Sequence, residues 1–272
     1  MRGSMKLFGG LLLALLILGR AAAARAENDD RCIGPVALRS SLLHQAALSR
    51  AAAEASAATI TFIGHSTFVI ESPGGVTIAT DYNDYVRPRT APLVATMNRA
   101  HDTHFTLSPD PAIKHVLRGW AEPGQPANHD VRVGDVRIRN VPTNIRDWGG
   151  QTQYYGNSIF IFEIAGLCVA HLGHLHHTLS PRQLTELGPI DVVLVPVDGS
   201  YTLNVDGMMD VLKQINAPLM IPMHYFGAST LQRFLDKARD RSWQVERSND
   251  SSVTVSRATL PQTPKVLALP GR

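Results

Sequence analysis

Cysteine is nearly absent from this sequence, with Cys32 and Cys168 the only two thiols in 272 residues. Two thiols allow at most one disulfide, and that in an oxidising compartment. Cys168 lies in the apolar, strand-like run Ile164–Ala170 and Cys32 in a polar N-terminal segment. A bridge would take that segment across the core, so the expectation is a buried free thiol at Cys168. A membrane-length apolar run is also lacking at the N-terminus: Leu7–Gly19 falls short of the roughly 20 residues that span a bilayer. Arg2 and Lys6 precede that run, and an alanine-rich stretch after it ends in Ala24-Arg25-Ala26. A basic start, an apolar middle and an A-x-A exit read as a secretory signal peptide over residues 1–26, cut before Glu27. Export to the periplasm or beyond follows, with no stable membrane anchor after cleavage. Cys32 follows Asn-Asp-Asp-Arg, which is no lipid-attachment context.

Excess positive charge disappears with the leader. Residues 1–26 hold four basic residues and no acidic ones, leaving 22 basic against 23 acidic and a formal charge of −1. Nothing then points to a nucleic-acid partner. Internal repeats are absent, and so is any sign of a second domain. About 245 residues are enough for one large domain with a substantial core.

What remains is a chain with two rhythms. Residues 27–57 are alanine- and serine-rich and read as a helical or partly disordered lead-in to a domain over 58–260. Short β-rich runs at Thr59–Ile63, Thr67–Glu71 and Val76–Thr80 are separated by Gly64-His65-Ser66 and Ser72-Pro73-Gly74-Gly75, which predicts an antiparallel meander. Further strands are expected at Leu93–Met97, Asp130–Val133, Val136–Val141, Ser158–Ile164 and Leu167–His171. The later part alternates: helix Pro181–Leu187, strand Val192–Pro196, helix Asp206–Ile215 with methionines inward, strand Leu219–Pro222, helix Ser229–Asp240. Gln244–Glu246 and Ser252–Ser256 read as edge strands, and 261–272 as a loose proline-rich tail. Strands first and alternation later suit an α/β protein with helices outside two packed sheets.

Eleven histidines are present and unevenly placed. His65, the pair His101 and His104, the cluster His171, His174, His176 and His177, and His224 stand out. Three of these four places follow directly on a predicted strand, where loops converge at one edge of a sheet. Imidazoles brought together from separate loops are a usual way to build a metal site. His65 reads first as a turn-fixing residue, with ligation the lesser reading. His176 and His177 read equally as pocket lining or as bystanders, and His44, His115 and His129 as ordinary residues.

The run Thr61-Phe62-Ile63-Gly64-His65-Ser66-Thr67-Phe68-Val69-Ile70, followed by Ile78-Ala79-Thr80-Asp81, resembles the opening of metallo-β-lactamase-fold hydrolases. It is most similar to the branch with L-ascorbate-6-phosphate lactonase and N-acyl-phosphatidylethanolamine phospholipase D. That family next carries H-x-H-x-D-H; here the run is Arg99-Ala100-His101-Asp102-Thr103-His104. A later H-x-G-D becomes His171-Leu172-Gly173-His174, and the final histidine matches Ile221-Pro222-Met223-His224-Tyr225. The resemblance covers about residues 59–226 and implies a four-layer αββα sandwich.

The departures shape the expected site. The family's first metal position falls on Arg99, His101 and Asn144, and its bridging aspartate on His174. A neutral imidazole has one lone pair to give, whereas a carboxylate can bridge two metals. The resemblance therefore implies one divalent metal ion, zinc before iron or manganese, held by His104, His174 and His224 with His101 as a fourth candidate. Arg99 reads as an anion-holding group or a surface salt-bridge partner, and Asp102 as a general base or an exposed acid. Asp81 matches an orienting aspartate and His171 a neighbouring partner. Tyr201 and Thr202 read as substrate contacts or turn residues. The loop Trp148-Gly149-Gly150 with Gln151–Tyr155 reads as a lid or as cover for a sheet face.

The implied function is metal-dependent hydrolysis of an ester, lactone or phosphodiester by metal-bound hydroxide, with Arg99 or Asn144 holding developing charge. The partner expected is a small, anionic substrate. β-Lactam hydrolysis is disfavoured by the altered motif. The alternative is a degenerate family member that binds a metal or ligand without turnover.

Overall fold

The computed structural model describes Cys32 and residues 56–121 and 125–272; the expected signal peptide and nearly all of the lead-in lie outside the described residues. The chain opens with the antiparallel meander β1 (Ala57–Gly64), β2 (Thr67–Glu71) and β3 (Thr77–Ala79). Parallel strands β4 (Val94–Met97) and β5 (His115–Arg118) extend it. The chain then builds β6 (Asp130–Val133), β7 (Val136–Arg146), β8 (Thr152–Ile164) and β9 (Leu167–His171) as consecutive antiparallel pairs. Helix α1 (Pro181–Leu187), β10 (Val192–Pro196), α2 (Val205–Ile215), β11 (Leu219–Met223) and α3 (Ala228–Asp240) follow. Strands β12 (Gln244–Arg247), β13 (Ser252–Ser256) and β14 (Lys265–Ala268) finish the fold.

Two sheets result. One has six strands in the order β13-β1-β2-β3-β4-β5; the other has eight, β12-β14-β11-β10-β9-β8-β7-β6. The period-two alternation of the buried strands assigns each side chain to a layer. Leu167, Val169, Val192, Leu194, Leu219 and Ile221 face the first sheet with Ile60, Phe68 and Ile70. Cys168, Ala170, Val193, Val195 and Met220 face the helices, where Met208, Met209, Phe234 and Leu235 meet them. Helix starts are set by side chains: Ser180 forms a capping box with Gln183 before Pro181, and Asn204 accepts from Gly207 N. The three α-helices of the described residues cover the eight-stranded sheet, while a small cluster around Tyr82, Met97 and Ile113 covers part of the other.

Two expectations need correction. Cys32 and Cys168 form a disulfide. Cys168 points outward to the helical layer, where Cys32 shares an apolar cluster with Leu187, so the bridge lies outside the space between the sheets. The tail is not loose: β14 inserts between β11 and β12, and Val266, Leu267 and Leu269 are buried. Its prolines flank the strand and leave Lys265–Ala268 free to pair. The stretch 148–155 forms the end of the long β7–β8 hairpin, with Ile145 opposite Gln153 and Arg146 opposite Thr152. β5 begins at His115, which thereby gains a strand role.

Candidate metal centre

The parallel strands β9, β10 and β11 all point the same way, and their C-terminal ends release the site loops. The ends of β1, β3 and β4 meet them from the other sheet. His65, Asp81 and His224 each adopt a positive φ, of 50°, 43° and 53°. Three left-handed non-glycine residues in one site indicate that the surrounding structure imposes the backbone there. One such constraint is visible: the His224 N–H donates to the His65 carbonyl at 2.6 Å, tying the two turns together. Gly173 is also required, because a Cβ there would lie 2.4 Å from both Asn157 Oδ1 and Asn98 Nδ2.

Five imidazoles converge. His104 and His224 stack with ring centres 5.2 Å apart, His65 lies 4.3 Å from His224, and His174 lies 4.7 Å from each of His101, His104 and His224. The tightest set of ligand atoms is that of His65, His104 and His224, all within 4.8 Å of one another. His65 thus enters the site, against its expected role as a turn residue. Only its position in the tight β1–β2 turn, at a strand end, could have signalled this.

Carboxylates orient two of the rings. His104 Nδ1 lies 2.6 Å from Asp81 Oδ2, and Asn98 Nδ2 donates to Asp81 Oδ1 at 3.0 Å. His224 Nδ1 lies 3.0 Å from Asp198 Oδ1. Asp198 also accepts from the backbone N–H groups of Ser200 and Tyr201 and from the Thr202 hydroxyl. Burial pushes the Asp198 carboxyl up, but His224 and Thr202 outweigh it and hold the group well below the usual carboxylate range. Burial pushes Asp81 up, opposed by His171 and Asn98. Asp198 opens the loop in which only Tyr201 and Thr202 carry an expected role; its place two residues beyond a fully buried strand is the signal for its own.

Burial favours the neutral form of His65, His104 and His174. Burial, and then the neighbouring rings, put His104 and His174 well below the ordinary imidazole range. Burial and His224 bring His65 to about 4. With their Nδ1 protons given to Asp81 and Asp198, His104 and His224 turn bare Nε2 lone pairs toward each other at 3.3 Å. Two such lone pairs repel unless a cation lies between them. Two Zn–N bonds of about 2.0–2.1 Å at a tetrahedral angle give roughly 3.3 Å between nitrogens. The residues present therefore fit a metal ion.

The remaining expected residues spread around this centre. His101, Arg99, Asp102, Thr103, Phe105, Trp148, Tyr201 and Phe226 line a cavity of about 860 Å³ that opens over His65 and His224. Asp102 accepts from the Tyr85 hydroxyl at 2.9 Å on the exposed rim. Arg99 is exposed and forms no ion pair among the described residues. Asn144 is not a charge-holding group in this cavity: it sits in the β7 bulge and accepts from Tyr155 N. His171 bonds through Nε2 to the Ser66 carbonyl and accepts from Gly173 N, so it braces the β1–β2 turn from inside. His176 lies beside His174 and accepts from Arg146 N.

A profile of the beta-lactamase superfamily domain matches residues 59–224. The chain belongs to the metallo-β-lactamase superfamily. A Thermotoga maritima protein of that superfamily, assigned as a Zn-dependent hydrolase, superposes with a TM-score of 0.58 and 30% identity over 79% of this chain and 100% of its own. A UPF0173 metal-dependent hydrolase from Methanoregula boonei is 26% identical over 71% of this chain and 92% of its own length. Another from Carboxydothermus hydrogenoformans is 28% identical, but the match spans only about half of that relative, 49%, and 39% of this chain. The finer branch named above gains no support from these relatives. This chain has the metallo-β-lactamase fold, with the α-helices of the described residues on the eight-stranded sheet.

Proposed function

We propose that this protein is an exported, metal-dependent hydrolase that cleaves an ester, lactone or phosphodiester bond in a small substrate with an oxyanionic and an apolar part. The observation that carries the reading is the pair of facing Nε2 atoms of His104 and His224 at 3.3 Å, each with its Nδ1 proton committed to a buried carboxylate. That arrangement presents neutral lone pairs in a fixed geometry, and His65 adds a third donor. One divalent ion, zinc by ligand type, would be held by His65, His104 and His224, acidifying a water and polarising the attacked oxygen. The kinship with metal-dependent hydrolases supports the class of reaction.

The chain's own residues do the rest. Asp81 and Asp198 keep both rings in one tautomer and one orientation. Arg99, exposed on the cavity wall, supplies a fork of N–H donors for a phosphate or carboxylate. Phe105, Trp148, Tyr201 and Phe226 form the apolar side of the same cavity and suit a hydrocarbon or aromatic portion. The Cys32–Cys168 disulfide supports export, because such bonds persist in oxidising compartments.

Elemental analysis of the purified mature protein, beside His224→Ala, tests the reading. One metal per chain, lost in the variant, together with turnover of ester, lactone or phosphodiester probes is the expected result. A stably bound metal without turnover of any probe would favour a binding protein instead. Protein that takes up no metal in zinc-containing buffer would sink the hydrolase.

A further inference from the structure

We propose that His174 is a hydrogen-bond donor to the substrate's oxygen, and not a metal ligand. The geometry distinguishes it from the rings beside it. Its backbone N–H donates to Asn157 Oδ1 at 2.8 Å, and Gly173 before it packs its Cα so closely on Asn157 and Asn98 that no side chain fits there. Its Nδ1 meets His176 Nε2, and His176 Nδ1 in turn receives the backbone N–H of Arg146.

A backbone amide can only donate, so His176 Nδ1 must be the bare nitrogen. His176 therefore carries its proton on Nε2 and gives it to His174 Nδ1. His174 is left with its own proton on Nε2. That atom is fully buried and has no hydrogen-bond partner, although the centres of His101, His104 and His224 each lie 4.7 Å from its ring. An Nε2–H has no lone pair for a metal. The conclusion follows from the direction of the relay.

His104 and His224 run the other way, with their protons on Nδ1 and their Nε2 atoms bare. One cluster therefore offers both lone pairs and a single buried N–H. The N–H suits an acceptor oxygen lodged beside the lone-pair nitrogens, such as a carbonyl or phosphoryl oxygen gaining negative charge. No bond to His174 forms or breaks; it contributes one hydrogen bond that strengthens as charge builds on that oxygen. This catalytic role rests on the hydrolase reading, whereas the position of the proton does not.

Protein labelled with 15N-histidine reads the proton directly in a long-range 1H–15N spectrum, with the His174 signals identified by their loss in His174→Gln. The expected pattern is a protonated Nε2 and bare Nδ1 at His174, in metal-free and zinc-loaded protein alike. In parallel, His174→Ala should keep one zinc per chain. Its affinity for inorganic phosphate as an oxyanion probe should fall about tenfold to a hundredfold, and His174→Gln, which replaces an N–H near the same place, should recover part of it. A bare Nε2 at His174 in the zinc-loaded spectrum overturns the proposal, as does a loss of zinc in His174→Ala as deep as that in His224→Ala. Wild-type protein that binds no zinc would sink the hydrolase reading alone, since the metal-free spectrum still decides where the proton sits.

Discussion

The two ends of the parallel strands β9, β10 and β11 are built from different materials. At the N-terminal end, Cys168 is bonded to Cys32, its N–H donates to Asp191 at 2.8 Å, and Asp191 pairs with Arg257 at 2.6 Å. Its hydrogen bonds close on one another, and Leu187 and Ile190 pack against it. At the C-terminal end the same strands release buried imidazoles, carboxylates set to hold them, and left-handed backbone at His224. One end is closed by a covalent bond and an ion pair within the fold; the other gathers donor nitrogens that suit a metal. Metal affinity and fold stability should therefore respond to different substitutions.

Removing the disulfide tests the first half of that contrast and should have the largest effect. The bridge closes a loop of 136 residues in sequence separation, and removing a native disulfide costs roughly 2–5 kcal/mol. Cys32→Ala with Cys168→Ala should lower the denaturant midpoint accordingly, while the zinc affinity of the protein still folded stays that of wild type. A parallel fall in zinc affinity would show that the two ends are mechanically coupled.

The converse substitutions are Asp81→Asn and Asp198→Asn. Each removes the carboxylate behind one ring and should weaken zinc binding about 10–100-fold in chelator competition. Asp198→Asn should also loosen the loop that Asp198 organises through Ser200, Tyr201 and Thr202. Wild-type affinity in both variants would mean that His104 and His224 do not carry the metal.

These two carboxylates also show how far the sequence could be read. The resemblance to the family's opening strand–turn–strand pointed to Asp81, because both strands and the acid after them are contiguous in the chain. Asp198 stands alone after β10, and only the parallel register of β10 with β11 brings it to His224. Local patterns sufficed for α1 and β9, whose bounds come directly from a capping serine and proline or from an apolar run between glycine and histidine. They failed for β14, a short run after two prolines that becomes a strand only because β11 and β12 leave a gap for it. They failed likewise for the disulfide, because facing is a property of the sheet and not of the run containing Cys168. The expected ligand set placed His174 with His104 and His224 and left His65 in its turn, whereas the ligand atoms that lie within 4.8 Å of one another are those of His65, His104 and His224. Side-chain type alone cannot show which ring nitrogens meet.

Acid should separate the two ends more gently. Burial, and then Arg146, hold His176 near 3, and burial with His224 holds His65 near 4, against an unfolded value of 6.5. Between pH 6.5 and 4 the unfolded chain therefore binds protons that the folded cluster refuses, and stability falls as pH falls through that window. Asp81, raised by burial, opposes part of this loss. Metal-free protein should melt lower at pH 5.0 than at pH 7.5, with the slope reduced in His65→Gln. A melting temperature that rises toward pH 5.0 would contradict the neutral cluster.

The smallest effect belongs to the hairpin tip. Trp148 is 91% exposed, yet its ring centre lies 5.4 Å from that of His101, and Tyr201 and Phe226 stand 54% and 62% exposed beside the same cavity. A tryptophan so exposed adds little to folding, so Trp148→Ala should change stability by no more than about 0.5 kcal/mol. Its indole matters once a substrate's apolar portion lies against it, a contact worth roughly 0.5–1.5 kcal/mol. The expected result is a KM raised about two- to tenfold for substrates with a hydrocarbon or aromatic portion, unchanged kcat, and no change for small polar substrates. Equal effects on both substrate types would place Trp148 outside the binding surface. The aromatic rim would then be packing at the end of a long hairpin, and substrate preference would rest with Arg99 and the buried cluster below it.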